Sequence, residues 1–224
     1  MTTRKRSQTW AVLNAAGLVV ALAANGLASG LPLNGLDTGE ISGLYPNLFV
    51  PAGLTFSIWG LIYLWLLAFV VYGFTHERTD ESPSFLEAIG PWFLVSCLAI
   101  AAWIFAWHWT LIGLSLALML VILGSLLARY LRLGIGVRAA SAGETWLVHA
   151  PVSISVGWIT VATIANVTAL AVDLGAPSFG SVPALLTVVV MAVAVSISGG
   201  VLWTRRDVAY ALVVTWAFLG IYLK

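Results

Sequence analysis

Seven apolar stretches follow one another along this chain, with so little between them that charge can collect only in a few short connections. A helix crossing a bilayer needs about 20 apolar residues, and nearly all of the 224 residues lie in segments of that kind. Hydrophobic residues make up 61% and charged residues 8%, against roughly 25% charged in a globular domain; mean hydropathy is +1.01. The pattern predicts an all-α integral membrane protein, a seven-transmembrane-helix bundle. The spans are expected at 10–28, 51–74, 91–107, 111–130, 151–172, 182–203 and 208–223. Pro51, Pro91, Pro151 and Pro183 open or nearly open four of them, where a missing N–H costs little. Residues 108–110 make a tight hairpin between the third and fourth.

Charge placement orients the bundle, because short inner loops collect Lys and Arg. With a cytoplasmic N-terminus, Arg4, Lys5, Arg6, Arg78, Arg129, Arg132, Arg138, Arg205 and Arg206 fall inside and only Lys224 outside. The outer connections carry Asp37, Glu40 and Asp173. The expected location is the cell membrane, multi-pass, with an extracytoplasmic C-terminus. A competing reading takes Arg4-Lys5-Arg6, the apolar run and Ala28-Ser29-Gly30 as a secretory signal. Asn14 and Asn25 sit awkwardly in such a segment, and its removal would leave six spans in the same orientation.

The same composition narrows function. No basic stripe exists to neutralise phosphates, so a nucleic-acid partner is not expected; the partners implied are the lipid bilayer and a small hydrophobic molecule. Cys97 has no second cysteine to pair with, and no Cys/His cluster suggests a metal site. Proton- and ion-coupled carriers place ionisable groups at the middle of their spans, and none lies there. Lys5 and Lys224 are the only lysines, which rules out a retinal Schiff base in the seventh helix. His76, His108 and His149 fall at span ends or in loops; any of them could ligate a haem iron or titrate as a sensor, and the plainer reading is an imidazole satisfied by water or headgroups. Neither paired carboxylates nor a Ser/His/Asp or Cys/His set falls within the spans, so the chain does not read as an enzyme.

Eleven tryptophans exceed what interfacial anchoring requires. Trp10, Trp92, Trp109, Trp146 and Trp203 stand at segment ends, as aromatic belts do. Trp59, Trp103, Trp107 and Trp158 belong to a more specific arrangement. On the second helix Phe56, Trp59 and Tyr63 share one face, and on the fifth Trp158, Ala162 and Asn166 recur every four residues. Counting the rise per residue puts Trp59 about 12 Å from the outer side, Asn166 about 10 Å and Ala162 about 16 Å. Phe105 and Trp107 approach the same level at the outer end of the third helix. Faces from three helices can therefore meet in the outer half, either as plain bundle packing or around a cavity. Ala162 leaves room there and Asn166 supplies a polar group, the usual make-up of a small-molecule site. The outer connection 29–50, with Pro32, Gly35, Gly39, Gly43 and Pro46, is long enough for a lid, and Tyr45 and Phe49 are rings it could present.

At these residues the chain resembles the tryptophan-rich sensory protein family, also called translocator proteins or peripheral-type benzodiazepine receptors (TspO/MBR). Phe49-Val50-Pro51 through Phe56, Trp59 and Tyr63 is similar to the family's prolines followed by Trp and Tyr four apart. Trp158-x-x-x-Ala162-Thr163-x-x-Asn166 is similar to its fifth-helix signature. Val50 replaces the second proline, Gly53 the tryptophan that follows, and the third helix lacks the expected Asn-Trp pair. The resemblance covers about residues 10–172 and implies a five-helix fold at 1–172, with two further helices at 173–224. It also implies a sensor or binding protein for flat hydrophobic ligands, porphyrins or haem-like tetrapyrroles and in some members sterols, held without a covalent cofactor. Trp59 and Trp158 would then stack on the ligand, Ala162 give clearance and Asn166 a hydrogen bond, with Phe56, Tyr63, Phe105 and Trp107 completing the site. A ridge of Ala192, Ser196 and Gly200 could dock the sixth helix on the core or on another copy in a homo-oligomer. The alternative functions are export of a small apolar solute and a non-catalytic structural subunit.

Overall fold

A computed structural model describes residues 3–31, 33–75 and 84–224. Pro32, His76 and Arg78, named above, lie outside the described residues. Among the described residues all regular structure is helical, with seven long helices: α1 Thr3–Gly30, α2 Ile58–Thr75, α3 Trp92–His108, α4 Ile112–Leu133, α5 Ala150–Asp173, α6 Ser181–Arg205 and α7 Val208–Tyr222. Five spans are long and apolar enough to cross a membrane: Lys5–Ala28, Gly53–Thr75, Ile112–Leu133, Ala142–Asp173 and Ser181–Arg205. α3 and α7 are equally apolar but have only 17 and 15 residues. At 1.5 Å per residue α7 reaches about 22 Å, short of the roughly 30 Å hydrocarbon core.

The first five helices close into a ring, α1 against α2, α2 against α5, α5 against α4, α4 against α3 and α3 back against α1. α7 packs outside this ring on α5, and α6 packs on α7. Leu64, Leu120, Leu186, Val188 and Leu212, all more than half exposed, give the bundle an apolar outer surface, as befits a molecule whose solvent is lipid. The connections sort to two ends. Ser84 Oγ bonds Ser7 Oγ, Arg132 Nη1 donates to Ala88 O, and Arg205 Nη1 donates to Ile135 O, which gathers the basic segments at one end. At the other, Asn34 Nδ2 donates to His108 O and Ala52 N–H to Gly220 O.

Local sequence explains where these helices begin. Pro51 precedes a 3-10 turn, Gly53–Ser57, and the α-helix proper starts at Ile58, later than its proline suggests. Pro151 does not open its helix. The chain is already helical from Ala142, and a π turn, Thr145–His149, leads into α5. In that frame Ala150 N–H bonds Thr145 O, five residues back. The next bond in the series would come from residue 151, which as proline has no N–H. The carbonyl it leaves free, Trp146 O, accepts instead from Trp65 Nε1 of α2 at 2.9 Å. A proline thus widens one turn and ties two helices of the ring together.

α7 enters close quarters at two glycines. A Cβ on Gly157 of α5 would lie 3.1 Å from Tyr210 O, and one on Gly220 would collide with the Thr55 side chain. The ridge expected to dock the sixth helix faces outward: Ala192, Ser196 and Gly200 are exposed, while Ala194 and Ser198 are buried. Both sets repeat at four residues, and periodicity alone could not choose between adjacent ridges of one helix.

Candidate functional site

Inside the five-helix ring the aromatic faces meet. Trp59 of α2 stacks on Tyr63 (centroids 5.6 Å apart, planes at 23°) and on Trp103 of α3 (6.0 Å, 27°). Its edge meets Trp158 of α5 at 6.3 Å and 86°. Phe56, on the 3-10 turn, meets Trp158 edge-on at 6.0 Å. Trp103 continues the stack to Trp107 at 5.9 Å, and Trp107 touches Tyr45 of the long connection at 6.2 Å. All separations fall within the 4.5–7 Å range where aromatic pairs attract.

Phe56, Trp59, Tyr63, Trp107 and Trp158 are therefore joined as the sequence reading places them, and Trp103 lies at the centre of the array. That reading grouped Trp103 with them without giving it a place in the site; its spacing from Trp107, one turn, is the signal that could have done so. Phe105 is a correction. It is 39% exposed and pairs with Trp109 at 6.0 Å on the outside of α3, because a two-residue step from Trp107 turns a helical side chain away by about 200°. Asn166 is buried, but its Oδ1 accepts from Ser115 Oγ of α4 at 2.6 Å and its Nδ2 donates to Ala162 O at 3.0 Å. It is the contact between α4 and α5. Ala162 is half-buried against the core. The level of Trp59 is that of Trp158, one turn deeper than Ala162. Counting an α-helical rise from Pro51 made Trp59 too shallow, because Ala52 is extended and Gly53–Ser57 is a 3-10 turn with about 2.0 Å per residue.

The long connection is clamped over α3. His108, expected to be satisfied by water or headgroups, is wholly buried. Its Nδ1 meets Leu33 O at 2.9 Å and its Nε2 meets Thr38 Oγ1 at 3.3 Å. A carbonyl can only accept, so Nδ1 donates to Leu33 O, and the threonine hydroxyl, which can donate or accept, meets Nε2. Trp107 Nε1 donates to Thr38 O at 3.1 Å. A short helix, Thr38–Gly43, is held by an Asp37–Glu40 capping box. Phe49 is buried completely and Tyr45 nearly so; burial, with the Asp173 carboxylate adding to it, pushes the Tyr45 hydroxyl above the usual tyrosine range. α7 braces the opposite wall, where Trp216 Nε1 donates to Thr55 O at 3.2 Å beside Phe56.

Polar atoms inside the ring are less well served. Trp103 Nε1, Trp158 Nε1 and the Tyr63 hydroxyl are buried and have no hydrogen-bond partner among the described residues. A buried unsatisfied donor costs about 1–3 kcal/mol, so three in one aromatic array call for an acceptor. Both amide atoms of Asn14 and Arg129 Nε share that state. Arg129, expected at the inner boundary of its span, is only 2% exposed, and its guanidinium lies 5.0 Å from the Phe93 ring centroid. A desolvated cation–π contact gives about 2 kcal/mol, less than the several kcal/mol that burying one ion costs. At the basic end, His149 lines a cleft of about 380 Å³ with Arg138, Arg205, Arg206 and Asp207. Tyr130 donates to Asp207 Oδ2 there at 2.8 Å. Among the described residues no group of His, Cys, Asp and Glu could hold a metal ion.

No curated protein and no solved structure matches this chain. A family model described as TSPO-like protein matches residues 11–224, past residue 172, where the motif resemblance stops, and through both C-terminal helices. Together with the ring of α1–α5 and the joined faces of α2 and α5, that match identifies the chain as a member of the TSPO-like protein family.

Proposed function

We propose that this protein is a membrane sensor or binding protein for a flat, hydrophobic, tetrapyrrole-like ligand. The body of the ligand is held among Trp59, Trp103 and Trp158, with Phe56, Tyr63 and Trp107 around them. The observation that carries the reading is the set of three unpartnered donors in one aromatic array, Trp103 Nε1, Trp158 Nε1 and the Tyr63 hydroxyl. A ring system carrying nitrogen or oxygen acceptors offers both stacking area and the missing bonds. The role is one of binding, without catalysis. Ala162 and Asn166 contribute indirectly, by fixing α5 against α4.

In this reading all seven apolar helices cross the cell membrane, the N-terminus is cytoplasmic and the basic end faces inward. α3 and α7 cross where the surrounding helices and the clamped connection cover their ends. Residues 1–172 form the binding bundle, and residues 173–224 form a brace that holds the Phe56 turn through Trp216.

Tryptophan fluorescence of the purified protein, titrated with protoporphyrin, tests the proposal. Quenching should saturate, and Trp59→Ala should weaken it at least ten-fold. Trp158→Phe keeps an aromatic face and removes the unpartnered N–H together with part of the indole, so it should lower affinity at a smaller cost in thermal stability than full truncation. Affinity unchanged in both variants would reject the site. Movement of porphyrin across reconstituted vesicles would make the protein a transporter of the same ligand.

A further inference from the structure

The aromatic array ends, at Tyr63, on polar groups that the proposed site does not use. Tyr63 and Arg129 are both in electrostatic reach of Cys97 on α3. The Arg129 guanidinium lies over Phe93, one turn along α3 from Cys97. α1 is pressed against the same stretch, since a methyl on Gly17 would lie 3.3 Å from Cys97 Cβ. Asn14 is one turn before Gly17 on that face. Asn14 and Arg129 are 1% and 2% exposed, and both amide atoms of Asn14 and Nε of Arg129 have no hydrogen-bond partner among the described residues. A phenol O–H, an amide and a guanidinium, drawn from three helices, thus come to one stretch of α3 around Phe93 and Cys97. The donors outnumber the acceptors, and no described residue supplies the negative charge that a buried guanidinium requires.

We infer that this group is a second part of the ligand site and receives a carboxylate carried by the same flat ligand. Arg129 pairs with it and Asn14 and Tyr63 stand beside it. The planar fork of arginine matches a carboxylate with two parallel bonds. One guanidinium balances one carboxylate charge. Tyr63 joins the two parts, its ring stacked on Trp59 and its buried hydroxyl without a partner among the described residues. The inference rests on the aromatic-site reading and adds to it the chemical class of the ligand: an amphipathic aromatic acid in place of a purely apolar molecule.

Protoporphyrin and its dimethyl ester share one ring system and differ in whether the carboxylates are free. Both are titrated by tryptophan quenching into protein held in phosphatidylcholine nanodiscs, which contain no anionic headgroup to occupy Arg129. The readout is the acid-to-ester affinity ratio and its change on mutation, each affinity corrected for partitioning measured in protein-free nanodiscs. The natural chain should favour the acid at least ten-fold. Arg129→Met should abolish the preference by weakening the acid and sparing the ester, Arg129→Gln should do the same, and Arg129→Lys should keep part of it. These variants remove or retain an unpaired buried charge, so failure of one to fold leaves the others to read. Equal affinities in the natural chain, or a preference that survives Arg129→Met or Arg129→Gln, overturn the carboxylate site and leave the aromatic one standing. Absence of quenching by either porphyrin overturns both.

Discussion

α5 and α6 are near equals in length, 24 and 25 residues, yet their surroundings are opposite. In the span containing α5, 56% of the apolar window is buried inside the protein, against 11% for α6, although α6 is the more hydropathic. From Pro151 to Ile159 every residue of α5 is buried, including Ser153, Ser155 and Gly157. Along the whole of α6 only Ala194 and Ser198 are. In water the most apolar helix would be the most enclosed; in lipid the order reverses. Acyl chains solvate Val and Leu as well as a protein interior does, so helices meet where small residues allow close approach and hydroxyls can be satisfied. Ser155 Oγ and Thr163 Oγ1 of α5 do so by bonding carbonyls of their own helix at 2.7 Å each.

The contrast can be broken most directly at the two tryptophans. Trp158→Ala on α5 empties a site that is 2% exposed and should cost about 3–5 kcal/mol, read as thermal unfolding in detergent. Trp203→Ala on α6, at 89% exposure, should stay within about 0.5 kcal/mol. Glycines come next. Gly157→Leu drives a side chain into Tyr210 O and Val213 and should cost about 1–3 kcal/mol as α7 is pushed off α5. Gly199→Leu meets nothing within 4 Å and should be neutral; a comparable loss there would mean that α6 has a protein neighbour, such as another copy of the chain. The smallest effect is polar. Asn166→Ala leaves the Ser115 hydroxyl without its acceptor and should cost about 1–2 kcal/mol, with the Ser115→Ala, Asn166→Ala double mutant losing less than the sum. Ser196→Ala on α6, whose hydroxyl bonds only its own helix at Ala192 O, should change nothing measurable.

Much of the fold was legible because hydropathy and proline placement act locally. The seven apolar runs correspond to α1–α7, while the length criterion for crossing a membrane is met by five. Helix starts were less legible. Pro151 looks like a first-turn residue, but its lost bond is absorbed by a π turn and by Trp65, a partner 81 residues from Trp146. Within the site, Trp59 and Trp158 follow from four-residue spacing on faces that turn inward. Phe105 fails because depth along a helix says nothing about azimuth. Arg129 was counted as a boundary charge, since its position four residues from Leu133 at the end of α4 is where such charges reach the headgroups. That its side chain instead turns into the ring depends on Phe93 of α3, which is not near it in sequence.

What the amino-acid order determined alone was the solvent, the helices and their alternation between a basic and an acidic end. Each of these comes from the transfer of side chains between water and lipid, and each residue contributes to it separately. Only the tertiary structure decided which face of each helix meets protein, because lipid accepts an apolar face as readily as a neighbouring helix does. The aromatic array, the clamped connection and the unpaired guanidinium all arise at that second stage, from shapes that must fit across helices distant in the chain.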